Sequence, residues 1–382
     1  MRYQDNLFNG QWKILERKLH SRVKRMRNAK ATFMKLSIRF AYYATCFIAS
    51  VLVFSMFLQV GINSFKPASF VRMVYGIAFK PYAYRALVPF SIRATASLIP
   101  QETKQAINET VWENKTFKLM NDNKGRLEKY ILTEFLIGCI VMYLGLAGFF
   151  FALRYLFKTV YEAPDKLVDL TSLAALLGLP VMFKYTSFIY DFSTLFLFTL
   201  GLALMARKKW MHFLVVYTLA CFNKETTILL TMLFVIYFYC VPITRLAKPS
   251  LMKILSAQIV IYLIARAILN YFFYDNPGSF LLDIYGILTN HNLKIPPYSI
   301  EAFVYLFITL MVLYKWEEKP LFLKCGLWIL PPLVLLCLFF GFLDELRAYY
   351  EAYPIVLLLM AHTMGDITGW KAKSRTIPLN IV

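Results

Sequence analysis

The segment YILTEFLIGCIVMYLGLAGFFFAL, residues 130–153, decides the fold class of this chain. As an α-helix it would be roughly 36 Å long at about 1.5 Å per residue, enough to cross the hydrocarbon core of a bilayer. Arg154 and Lys158 follow it directly. The segment is therefore predicted to be a transmembrane helix that ends at a basic boundary.

The rest of the chain has the same character. Of the 382 residues, 59% are hydrophobic and 17% are charged, and the mean hydropathy is +0.54. A soluble domain of this length carries more charge and fewer apolar residues. The aromatic content of 17% suits lipid-facing and interfacial helix surfaces. Composition therefore predicts one membrane-embedded unit rather than two soluble domains.

Further apolar segments are bounded by charged or polar turns. The predicted fold is an all-α, polytopic transmembrane helical bundle of about ten spans. The first span lacks the small-residue pattern of a signal-peptide cleavage site, so it is expected to stay uncleaved. For the short segments 210–222 and 301–314, half-helices or buried segments remain the alternatives to full crossings. The remaining predicted spans cover residues 40–62, 167–183, 192–206, 226–243, 254–273, 321–342 and 353–364.

The distribution of basic residues predicts the direction of the spans. With the N-terminus in the cytoplasm, every short basic segment falls on the cytoplasmic side, as the positive-inside rule requires. The net charge of +20 then sets topology and does not indicate nucleic acid as a partner. These basic segments are residues 154–158, 207–209, 245–253, 315–319 and 371–375.

This topology divides the chain into three regions. Residues 1–39 are a basic cytoplasmic arm, residues 40–365 a transmembrane domain with a long outer loop at 63–129, and residues 366–382 a cytoplasmic tail. The arm is interpreted as topogenic. Alternatively, residues 12–27 form an amphipathic helix on an anionic leaflet.

Charged residues gather in the segments predicted to face outward. Such residues are costly at membrane depth, so they tend to pair or to line a pathway. Arg266 lies inside the seventh span, about 20 Å along the helix from Lys253. A cluster of arginines and a lysine suits a phosphate group, since guanidinium binds phosphate with two hydrogen bonds. Structural ion pairs, an interfacial anchor and outward snorkelling remain the alternatives. The residues are Arg85, Asp191, Lys224, Glu225, Arg266, Asp344, Glu345, Arg347 and Glu351.

Three fragments resemble bacterial multi-span proteins of the GT-C glycosyltransferase superfamily. They are YAYRALVP at 82–89, the pair YDF at 190–192 and NKET at 223–226, and ELRAYYEAYP at 345–354. With the order of spans, the resemblance covers about residues 40–365. It implies transfer of a sugar from a polyprenyl-phosphate donor to a glycan, lipid or protein acceptor. The reaction would take place at the non-cytoplasmic face of a bacterial inner membrane.

One feature departs from that superfamily, whose members carry an acid early in the first outer loop. Between Gly61 and Tyr84 this chain has no Asp or Glu. Glycosyl transfer with inversion needs a carboxylate to accept the proton of the attacking hydroxyl. Asp191 is the first candidate for this catalytic role, followed by Asp344 and Glu345. Substrate and donor phosphate would be bound by Tyr84, Arg85, Lys224, Glu225, Arg266, Arg347 and Glu351.

Other functions stay open from the sequence. The same charges suit a lipid or saccharide transporter or flippase, and the missing acid suits a non-catalytic scaffold derived from a glycosyltransferase. A divalent metal is compatible with a lipid-phosphate donor, but no cysteine or histidine spacing indicates a metal site. The sequons at Asn108 and Asn114 are interpreted as chance tripeptides, with glycosylation as the alternative.

Overall fold

The computed structural model describes residues 2–114, 127–240, 248–278, 292 and 300–375. This part of the chain is all-α, as predicted, apart from two short antiparallel strands, β1 (Tyr161–Glu162) and β2 (Lys373–Ser374). The α-helices are, in chain order, α1 (Arg2–Gln59), α2 (Phe70–Val74), α3 (Leu87–Ser97), α4 (Gln101–Glu113), α5 (Leu132–Val160), α6 (Asp165–Gly178), α7 (Asp191–Ala206), α8 (Trp210–Asn223), α9 (Ile228–Val235), α10 (Lys248–Phe272), α11 (Ile300–Leu313), α12 (Leu321–Gly326), α13 (Leu330–Phe340) and α14 (Tyr353–Ile367).

The chain divides into two compact units, Met1–Ala49 and Ser50–Val382. The described part of the first unit is helical throughout, as the N-terminal portion of α1. The side chains of the predicted basic arm up to residue 31 lie outside the described part, except that of His20. The alternative of an amphipathic surface helix therefore stays a prediction.

Within the described ranges, four helical stretches are long and apolar enough to cross a membrane: Thr32–Gln59, Lys129–Val160, Ser250–Phe272 and Leu321–Phe340. Each of the ten predicted spans contains helix. The six predicted spans outside these four stretches have helices too short to count as full crossings. The described part of the chain thus has four helices long enough to span a membrane where about ten spans were expected, because the remaining apolar helices are shorter than a full crossing requires. The short apolar helices are Asp191–Ala206, Trp210–Asn223, Glu225–Tyr239, Ala302–Leu313 and Tyr353–Ile367.

The outer surfaces of α10 and α11 are apolar. Leu263 and Ile264 are more than half exposed, and so are Phe307 and Leu310. A soluble monomer rarely exposes large apolar side chains in such rows. These helix faces suit contact with lipid chains, since the backbone polar groups of a helix are bonded internally.

The core of the second unit forms where α5 packs along α7. At Gly145 a side-chain carbon would lie 3.1 Å from the backbone carbonyl carbon of Phe192, so only glycine fits this close approach. The ring of Phe192 also packs on Phe57 at a centroid distance of 4.3 Å. Both rings are fully buried. This packing fixes the start of α7, where Asp191 lies.

The basic turns meet at one end of the second unit, here called the basic end. Arg207 donates to Thr159 at 2.8 Å, and Arg154 pairs with Asp169. The backbone N–H of Arg375 donates to the carbonyl of Val160. Helix α5 extends about 43 Å away from this end, at roughly 1.5 Å per residue. The start of α7 lies beside Gly145, about halfway along α5, so the charged turn at Asp191 is roughly 22 Å from the basic turns at about 1.5 Å per residue.

Two predicted segments need adjustment. The outer loop 63–129 contains the helices α2, α3 and α4, and residues 115–126 lie outside the described part. Most of the predicted outer segment 274–300 and part of the basic segment 245–253 also lie outside it.

The first sequon asparagine, Asn108, is buried. Its side chain accepts from the N–H of Thr133 at 2.8 Å and donates to the carbonyl of Tyr130.

Candidate functional site

Nine charged residues at the end opposite the basic end form what is called here the ion-pair cluster. Short structural elements place them: Asp191 opens α7, Glu225 opens the 3-10 turn Glu225–Thr227, and Arg347 lies in the 3-10 turn Leu346–Tyr349. Because all of these are helix ends with little loop around them, their side chains are directed toward one another. The members are Arg85, Lys184, Asp191, Lys224, Glu225, Asp344, Glu345, Arg347 and Glu351.

Arg85 and Glu225 form a buried pair with two hydrogen bonds. The Nε of Arg85 donates to Oε2 at 3.2 Å, and Nη2 donates to Oε1. Nη1 donates to the hydroxyl of Tyr190, and the guanidinium lies over the rings of Tyr82 and Tyr190. Burial alone would lower the pKa of Arg85, but the charge and hydrogen bond of Glu225, together with Tyr190 and Tyr82, outweigh it and hold that pKa well above the ordinary value.

Arg347 joins two carboxylates. Its Nη1 lies 3.4 Å from Asp191, and its Nε donates to Glu345 at 3.1 Å. Asp191 also accepts from the N–H of Phe188 at 2.9 Å, and the guanidinium of Arg347 covers the Phe188 ring. Burial would lower the pKa of Arg347, but Asp191 and Glu345 together raise it above the ordinary value. Both arginines therefore stay charged and fixed.

Three stacked rings connect the two arginines. Tyr82 stacks on Phe188 at a centroid distance of 5.5 Å, and Phe188 stacks on Tyr190 at 5.2 Å. Arg85 lies against Tyr82 and Tyr190, and Arg347 lies against Phe188. A cation over an aromatic face is stabilised most where water is excluded. The rings thus hold the two guanidinium groups in fixed positions.

Lys224 and Glu351 form the third buried pair, with Nζ 2.8 Å from Oε1. Thr226 also donates to this oxygen. The neighbouring Asn223 donates from its amide nitrogen to Thr194 at 2.8 Å. Glu351 is completely buried, which requires that its charge be compensated by these donors.

Asp344 is buried and lies beside Lys184, the most exposed cation of the ion-pair cluster. Lys184 donates to its Oδ2 at 2.7 Å, and the hydroxyl of Tyr185 donates to the same oxygen at 2.6 Å. The Lys184 side chain is 40% exposed, against 12–14% for Arg85, Lys224 and Arg347. Burial and the hydrogen bond to Asp344 raise the pKa of Tyr185, so its hydroxyl stays protonated and donates to the carboxylate.

The cluster is not basic, contrary to the expectation from the sequence. Its nine residues include four cations and five carboxylates, so their formal charge is −1. Each cation is paired with a carboxylate that was itself predicted as a site residue. The sequence shows which charges share a face, but only the fold shows that they neutralise one another.

Two predicted site residues lie outside the cluster: Arg266 is part of α10, and Tyr84 contacts that helix. Arg266 donates to the carbonyl of Cys221 and lies over the ring of Tyr262, and its Nε is buried without a hydrogen-bond partner. Tyr84 donates to Asn270 at 3.2 Å. Tyr262 in turn donates to the backbone carbonyl of Glu225, which makes Arg266 a neighbour of the cluster rather than a member.

Sequence reasoning did not select the aromatic residues that support the charges. Tyr82, Tyr185, Phe188 and Tyr190 all contact cluster residues. Their signal was present, because they flank the charged residues within the polar turns 82–85 and 184–191. Aromatic residues are common throughout this chain, so composition alone did not distinguish them.

No group of three or more His, Cys, Asp or Glu side chains suited to a metal ion occurs in the described part of the chain. The described residues thus do not fit a divalent metal, and each carboxylate of the cluster has at least one oxygen paired with a cationic side chain. Comparison with known proteins gives no relative: no protein family, no curated protein and no solved structure matches this chain.

Proposed function

We propose that this chain is a membrane glycosyltransferase of the GT-C type, with the ion-pair cluster as its active site. It moves a sugar from a polyprenyl-phosphate donor to an acceptor glycan, lipid or protein at the membrane face that carries the cluster. In this proposal the four long apolar helices cross a bacterial inner membrane. The basic end and both termini are cytoplasmic.

One observation carries this proposal: the three fragments that resemble the superfamily pair with one another. Arg85 of the first fragment pairs with Glu225 of the second. Asp191 and Lys224 of the second fragment pair with Arg347 and Glu351 of the third. Three short segments without a common role would not be expected to form ion pairs with one another. Their contacts support a single site assembled from all three.

Asp344 is the proposed general base. It lies beside Lys184, the most exposed cation of the cluster, and Lys184 and Tyr185 both donate to its Oδ2. Asp191 was the first choice from the sequence, but Arg347 and the N–H of Phe188 hold it in a buried position. Asp191 and Glu345 thus position Arg347. The Asp344 carboxylate accepts the proton of the acceptor hydroxyl as its oxygen attacks the anomeric carbon.

The leaving phosphate takes the electron pair of the broken glycosidic bond and needs a cation nearby. Lys184 is the most exposed cation of the cluster, so it is the proposed contact for the donor phosphate. Arg85 and Arg347 are enclosed by carboxylates and rings, and in this proposal they build the site instead of binding the donor.

A genetic experiment tests the proposal. In cells that depend on this chain for a surface glycan or glycolipid, Asp344→Asn is expected to abolish the product while the protein accumulates normally. Asp366→Asn is the matched control, because Asp366 pairs with Lys315 at the basic end. The proposal fails if Asp344→Asn, Asp191→Asn and Glu345→Gln all leave the glycan intact while deletion of the chain removes it.

Reconstitution separates transfer from transport. In vesicles that contain a polyprenyl-phosphate sugar, the proposal predicts a new glycosidic product and free polyprenyl phosphate. Movement of the intact lipid between leaflets without any product would instead identify a flippase and overturn the proposal.

A further inference from the structure

A small cavity lies inside the ion-pair cluster, beneath the Lys224–Glu351 pair. The ends of α7 and α8 and the turn Glu225–Thr227 enclose it, and its volume of about 10 Å³ has room for a single small ion or water molecule. Six of its nine lining residues are polar, and the rest are Leu197, Phe198 and Ala220. The polar residues are Thr194, Asn223, Lys224, Thr226, Thr227 and Glu351.

Two buried acceptor atoms of this cavity have no hydrogen-bond partner. They are Oε2 of Glu351 and Oδ1 of Asn223. Glu351 is 0% and Asn223 1% exposed, so bulk water does not reach either residue. An unpaired buried acceptor costs about 1–3 kcal/mol, and more when it belongs to a charged group. Two of them on one cavity indicate a ligand that both can contact.

The donors around the cavity are already used elsewhere. Lys224 and Thr226 donate to the other oxygen of Glu351, and Thr227 donates to the carbonyls of Ala220 and Lys224. The orientation of the Asn223 amide is fixed, because its nitrogen donates to the carbonyl of Tyr190 and to Thr194. Its oxygen therefore faces away from those groups. The ligand must supply positive charge or donors.

The formal charge of the ion-pair cluster indicates which class of ligand suits the cavity. The nine residues of the ion-pair cluster carry a formal charge of −1, so one positive charge makes the cluster neutral. A divalent ion would leave a surplus positive charge beside Lys224. The available contacts are carboxylate, amide and hydroxyl oxygens, which suit hard cations.

From these two observations we infer that the cavity binds one monovalent metal cation, coordinated by Oε2 of Glu351 and Oδ1 of Asn223. The cation neutralises the surplus charge of the cluster and fixes Glu351, which in turn holds Lys224. This inference does not rest on the proposed transfer reaction, because it follows from buried acceptors and charge alone.

Thermal unfolding of the detergent-solubilised full-length chain tests the inference. Sodium chloride and potassium chloride are each titrated against choline chloride at constant ionic strength. A ligand that binds only the folded state raises the unfolding temperature in a saturable way. At least one of the two metal cations is expected to give such a rise over choline. Equal curves for all three salts would overturn the inference.

Two cavity variants test whether the cation-dependent rise in unfolding temperature comes from binding in this cavity. Glu351→Gln and Asn223→Ala are expected to lose the cation-dependent rise. Glu134→Gln is the matched control, because Glu134 is also a buried carboxylate with an unpartnered Oε2 but lies away from this cavity, beside Lys104. It should keep the rise. A rise that persists in both cavity variants would contradict the assignment.

A direct measurement covers the case in which the cavity variants do not fold. Equilibrium binding of radioactive sodium to the unaltered chain is expected to saturate at a single ion, displaced by unlabelled sodium or potassium but not by choline. Absence of saturable binding for both metal ions, or a dependence on pH alone, would overturn the inference.

Discussion

Arg347 and Asp191 are 156 residues apart in the sequence, yet the Nη1 of one lies 3.4 Å from the Oδ2 of the other. Their side chains are 12% and 4% exposed. This pair connects the turn before α14 to the first residue of α7. Because the pair is buried and Arg347 also pairs with Glu345, loss of Arg347 leaves two carboxylates without this cation inside the protein.

Arg347→Met is therefore expected to destabilise the chain by about 3–5 kcal/mol, the usual effect of breaking a buried pair. Chemical unfolding in detergent measures the change. Lys158→Met is the matched control, because the Lys158–Asp165 pair is about half exposed and should contribute little. An Arg347→Met protein as stable as the unaltered chain would show that the pair is not a buried structural element.

Arg85→Lys tests whether geometry or charge matters at the second pair. Lysine keeps the charge but cannot donate to both oxygens of Glu225 while covering the rings of Tyr82 and Tyr190. A loss of about 1.5–3 kcal/mol is expected, the contribution of a hydrogen bond to a charged group. Arg93→Lys, at an exposed position of α3, should leave unfolding unchanged. Equal stability of the two variants would mean that charge alone suffices.

The buried ammonium group of Lys319 at the basic end is expected to make the free energy of unfolding depend on pH. Its Nζ donates to the carbonyls of Met311, Val312 and Leu359, and burial lowers its pKa to about 8 from 10.5. Between these two values the folded chain has released a proton that the unfolded chain still holds. The free energy of unfolding should thus rise with pH in this window, and show no such contribution below it.

Lys319→Met should flatten that rise, measured by unfolding between pH 7 and 10.5. Lys324→Met is the control, because Lys324 reaches the carbonyl of Trp316 only at 3.4 Å. An unaltered pH profile in Lys319→Met would remove Lys319 as its source.

Asn108 is expected to stay unmodified when the chain is made in a eukaryotic secretory membrane, although it begins a sequon. Its side chain is buried and satisfies the N–H of Thr133 in the first turn of α5. Asn108→Ala should lower stability by about 0.5–2 kcal/mol, as loss of a helix-capping residue does. Mass spectrometry of the peptide and unfolding of the variant check both statements. Glycan on Asn108 of folded protein would contradict this burial.

The sequence predicted the all-α class and the shared position of the charged turns, because apolar length and basic boundaries are local properties. It placed Arg85, Asp191, Lys224 and Arg347 at one end, where the structure has them. It did not predict that carboxylates neutralise these cations, since pairing across 156 residues depends on how α7 and the 346–349 turn pack. The number of full crossings was overestimated, because apolar helices of 14–16 residues such as α7, α8 and α14 were each counted as a span.

We propose that the three paired fragments form one catalytic site, with the adjacent Asp344 as its base. The most direct test is the rate of sugar transfer from a polyprenyl-phosphate donor by purified protein in vesicles. Asp344→Asn is expected to lower this rate by about 10²–10⁴-fold, the usual contribution of a general base, while Asp366→Asn leaves it unchanged. A folded Asp344→Asn protein that transfers sugar at the rate of the unaltered chain would show that Asp344 is not the base.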